Sequence, residues 1–135
     1  MRTLLISGFL ISASATVLIA QTSKPDLKQQ MANGKVIYEA NCLSCHMEQG
    51  EGLEGVYPPL AKSDYLLADK KRAIRQILYG VSGPIKVNGK TYEGEMQGFE
   101  LTDAELSDLM NYLLHSFGNK GAVVTPAEVA SVRKK

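Results

Sequence analysis

The chain has 135 residues, room for one domain, and its 15 basic and 14 acidic side chains leave a formal net charge of +1. So even a balance argues against a nucleic-acid-binding protein, which needs a basic patch. It has only two cysteines, Cys42 and Cys45. A disulfide closing so short a loop adds little stability, so the pair is expected to have another task.

In chain order, Arg2 precedes an uncharged stretch, Leu4 to Ala20, which has the form of a secretory signal peptide. Residues 1–20 are therefore expected to direct export to the periplasm, with Ala13-Ser14-Ala15 as another possible cleavage site. The competing reading is an uncleaved anchor, the one case in which the protein would touch a membrane. Residues 21–135 form the remaining domain, with no formal net charge once Arg2 is gone.

A first helix is predicted from about Leu27 to Asn41, with Gly34 inside it serving close packing by another helix. Gln49 to Leu60 is rich in Gly and Pro and predicts a loop. Ser63 and Asp69 can each cap a short helix; the second, Lys70 to Tyr79, stops at Gly80. The sequence around Asn88-Gly89 predicts a small β-hairpin at about 85–92, too small to stand alone. Thr102 and Glu105 form a capping box. The helix they open carries one apolar stripe, Leu106, Leu109, Met110, Leu113, Leu114 and Phe117, and is expected to end at Gly118. A second capping box, Thr125 with Glu128, opens a tail helix at about 126–134, whose Arg133, Lys134 and Lys135 suit its negative end.

The chemistry sits in Cys42-Leu43-Ser44-Cys45-His46, the attachment signature of c-type haem. On one helical turn, residues three and four apart lie on the same side. Both thiols can then add across the haem vinyl groups to form thioethers, while His46 becomes the proximal iron ligand. A thioredoxin-like dithiol would need a strand-helix-strand frame, and a zinc site would need more ligands. One covalent haem c also accounts for the thin apolar core, because it gives short helices a large body to pack on.

With these residues in hand, the chain resembles a class I cytochrome c over residues 30–118. The resemblance implies an all-α fold of short helices around one covalent haem, with crossing first and last helices. Gly34 and Tyr38 would there meet Leu109 and Tyr112. It also implies that the Pro58 carbonyl, with Pro59 as the fallback, accepts a hydrogen bond from His46. A closer resemblance, carried by "PPLAKSDYL", "GPIKVNGKTY" and "VTPAEVASVR", is to the cytochrome c domains associated with copper nitrite reductases. The chain departs from that group at Met96-Gln97, where Met-Pro is usual, and at Phe117, where tryptophan is usual.

Met96 is the expected second iron ligand. Met1 goes with the signal, Met47 adjoins His46, Met31 lies in the first helix, and Met110 lies on the apolar stripe. His115 is expected to face solvent, and Arg72, Arg75, Lys86 and Lys90 are taken as surface charges. The expected function is that of a monomeric, non-enzymatic one-electron carrier between redox proteins, possible acceptors including a copper nitrite reductase. Two rivals stand beside it: a haem enzyme or ligand sensor with a displaceable methionine, and a fixed relay subunit of a larger oxidoreductase.

Overall fold

A computed structural model describes residues 26–133. The expected signal peptide and the last two lysines lie outside the described residues. Among the described residues, six helices and one hairpin follow in order: α1 Leu27–Asn41, α2 Leu43–His46, α3 Asp64–Ala68, α4 Lys70–Tyr79, β1 Ile85–Val87, β2 Lys90–Tyr92, α5 Asp103–His115 and α6 Pro126–Arg133. The mainly helical fold with a small hairpin is the one expected.

Local chemistry sets most boundaries. Asp26 caps α1 by accepting from the Gln29 N–H at 2.8 Å. Ser63 caps α3 through Leu66, and Asp69 caps α4 through Lys71 and Arg72. Both capping boxes form, Thr102 with Glu105 and Thr125 with Glu128. The hairpin pairs Ile85 with Tyr92 and Val87 with Lys90, and Asn88 and Gly89 take φ of 50° and 82° at its turn. Val87 and Tyr92 are buried, and Asn88 exchanges two hydrogen bonds with Asp64, so the hairpin leans on the start of α3.

The core is the crossing of α1 over α5. A Cβ on Gly34 would stand 2.1 Å from the Asp108 carbonyl oxygen and 2.8 Å from Tyr112 Cβ, so only glycine permits this approach. Tyr38, Tyr112 and Phe117 pack edge and face beside it, with centroids 5.3–5.5 Å apart. Gly34 thus meets Asp108 and Tyr112, while Leu109 lies buried in the same cluster. The stripe of α5 supplies Leu106, Leu109, Met110, Leu113 and Leu114 to the core, all nearly or fully buried.

Two local expectations change. The helix α5 ends at His115, before Gly118, because Ser116 is extended and Phe117 takes φ of 57°. That turn carries the Phe117 ring in against Tyr38 and Gly50, and packing outweighs the glycine stop signal. In α6, Arg133 does not serve its own helix end. It donates to Asp103 Oδ1 at 2.9 Å and to the Leu101 carbonyl at 2.7 Å.

Candidate functional site

α1 delivers Cys42 as its C-terminal cap, with the Cys42 N–H on the Tyr38 carbonyl at 2.8 Å. The chain then winds the single turn of α2, with the Cys45 and His46 N–H groups 3.2 and 2.9 Å from the Cys42 carbonyl oxygen. Cys42, Cys45 and His46 all line one cleft of about 750 Å³. Cys42 and Cys45 are not joined in a disulfide. Before any bond to haem forms, burial, and then Cys45, pushes the Cys42 thiol up to about 11. A reactive redox dithiol requires the reverse, a lowered thiol pKa.

His46 Nδ1 lies 3.0 Å from the Pro58 carbonyl oxygen. A carbonyl can only accept, so Nδ1 carries the proton of the neutral ring and Nε2 keeps its lone pair. Burial holds the imidazole below its usual pKa, against the opposing pull of the Pro58 bond. Burial thus favours the neutral form that metal ligation needs. Gly52 makes this arrangement possible. Its N–H bonds the His46 carbonyl at 3.1 Å, and a Cβ there would stand 2.8 Å from the Pro58 oxygen and 2.4 Å from that of Tyr57.

Met96 lines the same cleft, and among the described residues it is the methionine that does so. Its backbone pairs twice with Val81, each bond 2.9 Å. Phe99 N–H adds a bond to the Ile77 carbonyl at 2.9 Å. Gly80 and Gly98 allow the two strands of chain to approach: a Cβ on either would meet the opposite backbone at 2.5 Å. The other internal methionines lie elsewhere. Met110 is fully buried in the core, Met31 is half-buried in α1, and the Met47 carbonyl accepts from the Tyr38 hydroxyl at 2.6 Å. His115 does not line the cleft. It is half-buried rather than fully solvent-facing, and its Nδ1 bonds the Asn111 carbonyl of the preceding turn at 2.8 Å.

The cleft walls fit a flat, apolar group. Leu66, Ile77, Val87, Tyr92 and Leu113 line it, with polar side chains from Ser63, Gln76, Glu95 and Gln97 among them. Among the described residues, no group of three or more His, Cys, Asp or Glu could hold a bare ion. Iron held in a macrocycle, needing only axial ligands from the protein, suits this donor set. Sequence reasoning missed one polar corner. Tyr65 and Gln76 line the cleft, and the Tyr65 hydroxyl accepts from Gln76 Nε2 at 2.8 Å. Arg72, expected at the surface, is half-buried with its guanidinium 3.6 Å from the Tyr65 ring centroid, and donates to the Tyr65 carbonyl. Its Nε is buried without a partner among the described residues. Nothing in the local sequence distinguishes Arg72 from the exposed Arg75, since both lie on one short helix and only tertiary packing separates them.

A family model described as cytochrome c matches residues 31–117. A cytochrome c-552 of Thermus thermophilus is 35% identical over 114 residues, spanning 77% of this chain and 86% of that protein. The FixP subunit of a cbb3-type cytochrome c oxidase from Bradyrhizobium is 33% identical over 80% of this chain but only 38% of its own length. The cytochrome subunit of fructose dehydrogenase from Gluconobacter japonicus is 33% identical over 75% of this chain and 22% of its own.

Proposed function

The chain belongs to the cytochrome c family, with haem c bound covalently through Cys42 and Cys45, and on that premise we propose that it is an exported one-electron carrier. The observation that carries the reading is the meeting of His46, with Nδ1 engaged by Pro58, and Met96 at one apolar cleft. His46 Nε2 and the Met96 thioether sulfur would be the two protein ligands that hold the iron. Pro58 holds the imidazole in one tautomer and orientation and raises its basicity. When bound, the haem supplies Fe(III)/Fe(II) exchange. A thioether is a soft ligand that favours the reduced iron, so the His/Met pair raises the potential. The short helices and the Val81–Met96 pairing would hold both ligands in place, and with both bound the iron would have no open position for a substrate.

The donor and acceptor are redox proteins that dock weakly, through a small contact. Our first-choice acceptor is a copper nitrite reductase, a choice that rests on the sequence resemblance around "GPIKVNGKTY" and "VTPAEVASVR". The c-552 relatives support a separate carrier, because this chain spans most of their length. The oxidase and dehydrogenase relatives support a second reading, a relay module serving one large enzyme.

Stopped-flow mixing tests the carrier role. The reduced holoprotein should be oxidised rapidly by a copper nitrite reductase, and gel filtration should give a monomer. Slow oxidation by that enzyme but fast oxidation by a terminal oxidase would move the acceptor and keep the role. Failure with every partner tried, together with carbon monoxide binding to the untouched protein, would replace the carrier with a ligand-binding haem protein.

A further inference from the structure

The family match ends at residue 117, yet the chain continues into α6, which packs on both α4 and α5. Val124, Val129 and Val132 bury themselves there. The entry to α6 is fixed by Asn111, whose side chain exchanges two hydrogen bonds with the Val124 backbone, at 2.8 and 2.9 Å. Ser107 adds a third, to the Val124 carbonyl at 2.9 Å.

The polar contacts of α6 follow a pattern. At its start, Glu128 pairs with Lys70, the first residue of α4, at 2.6 Å. At its end, Arg133 meets three groups. The Tyr79 hydroxyl, from the last residue of α4, donates to the Arg133 carbonyl at 3.3 Å. The Arg133 guanidinium donates to the Leu101 carbonyl and to Asp103, at the mouth of α5. Tyr79 and Leu101 flank residues 80–100, the segment that carries the hairpin and Met96. Arg133 therefore joins the two feet of the methionine loop from outside. Apart from the hairpin ladder, the loop closes on itself through the Val81–Met96 pairing, and it is tied to its surroundings by the bond from Phe99 to Ile77 and the two between Asn88 and Asp64.

We propose that α6 is a strap and Arg133 its bolt, a positioning residue that holds the base of the 80–100 loop closed and so keeps Met96 on the iron. The inference rests on Met96 as the distal ligand. Arg133 does not itself line the cleft; it acts through Leu101, Asp103 and Tyr79, and of these Tyr79 lines it. Without it the loop samples an open state in which the sulfur has left, and an external ligand captures that state. The apparent affinity of such a ligand scales with the open fraction.

The test uses the oxidised, full-length holoprotein with imidazole as the probe. Wild type should show the weak near-infrared sulfur-to-iron band and bind imidazole weakly. Arg133→Ala should keep the fold and raise imidazole affinity about three- to fivefold, the scale on which a half-exposed charge-assisted pair acts. Tyr79→Phe, the milder variant, should shift it in the same direction by less, and covers the case in which Arg133→Ala does not fold. Arg133→Lys should restore part of the change. In the Met96→Ala background, Arg133→Ala should leave imidazole affinity unchanged, because the sulfur it positions is gone. An Arg133→Ala protein less stable to heat but with wild-type imidazole affinity would overturn the bolt. So would an equal effect of Arg133→Ala with and without Met96. A wild-type protein lacking the near-infrared band would overturn the distal-ligand reading and the bolt with it.

Discussion

Replacing Gly34 by alanine should destabilise the protein, although the same change in the middle of an ordinary helix stabilises. Alanine is favoured over glycine by about 1 kcal/mol in a helix interior. Here the added Cβ would lie 2.1 Å from the Asp108 carbonyl oxygen and 2.6 Å from its carbon. Ordinary contact begins near 3.4 Å, so α1 and α5 must part by more than 1 Å at their closest point. The obstacle is backbone, not the far end of a flexible side chain, so no rotamer change relieves it. Overpacking of this kind costs about 3 kcal/mol, at the upper end of its usual range. After the helical gain, about 2 kcal/mol of net loss remains, or about 10 °C in melting temperature for a domain of this size. The loss should be accompanied by disturbance of the Tyr38–Tyr112–Phe117 cluster, which sits directly beside the crossing. Thermal unfolding of the holoprotein, followed in the haem absorption and in the aromatic circular dichroism, gives both readouts. A Gly34→Ala protein as stable as wild type or more so would refute the close-approach argument, and with it the reason for a glycine at this position.

Met96→Ala should abolish the near-infrared band of the oxidised protein and let carbon monoxide bind the reduced one. Met110→Leu should change neither, since it conserves volume in the buried stripe of α5. Asn111→Ala should cost about 2–4 kcal/mol in denaturant unfolding, because it leaves the buried Val124 N–H unpaired and frees the entry to α6. The Glu128 carboxyl is held below its ordinary value of 4.5, first by the hydrogen bond from Lys70 and then by the Thr125 N–H. Its contribution to stability is therefore complete above that ordinary value and fades as the pH falls through the lowered one. Glu128→Gln should flatten the acid limb of the stability curve in that window and leave it parallel to wild type near neutrality; an unchanged acid limb would separate the carboxylate from the strap.

Much of this protein is written locally. Cys42, Cys45 and His46 fall on one turn because three- and four-residue spacings share a side of a helix, and no distant residue is needed to see it. The caps at Ser63, Asp69, Thr102 and Thr125 likewise form from side chains and backbone within three residues of each other. So does the Asn88-Gly89 turn, where positive φ angles select the residue types. Signals that depend on what arrives from elsewhere in the chain were less legible. The glycine stop at Gly118 yielded to Phe117, because the aromatic cluster with Tyr38 outweighs a local preference worth about 1 kcal/mol. Arg133 looked like a charge matched to its own helix end, yet its guanidinium reaches the start of α5. Arg72 and Arg75 are alike in sequence, and only the position of Tyr65 buries one of them. Gly52 and Gly98 could be seen only as loop glycines and Gly80 only as a helix stop, since the backbone each admits comes from several residues away. Short-range hydrogen bonding and helical periodicity are properties of neighbours, and the sequence determines them by itself. Which carbonyl meets His46, which loop carries Met96 to the cleft and what holds that loop shut depend on contacts between distant segments, and those exist only once the chain has packed.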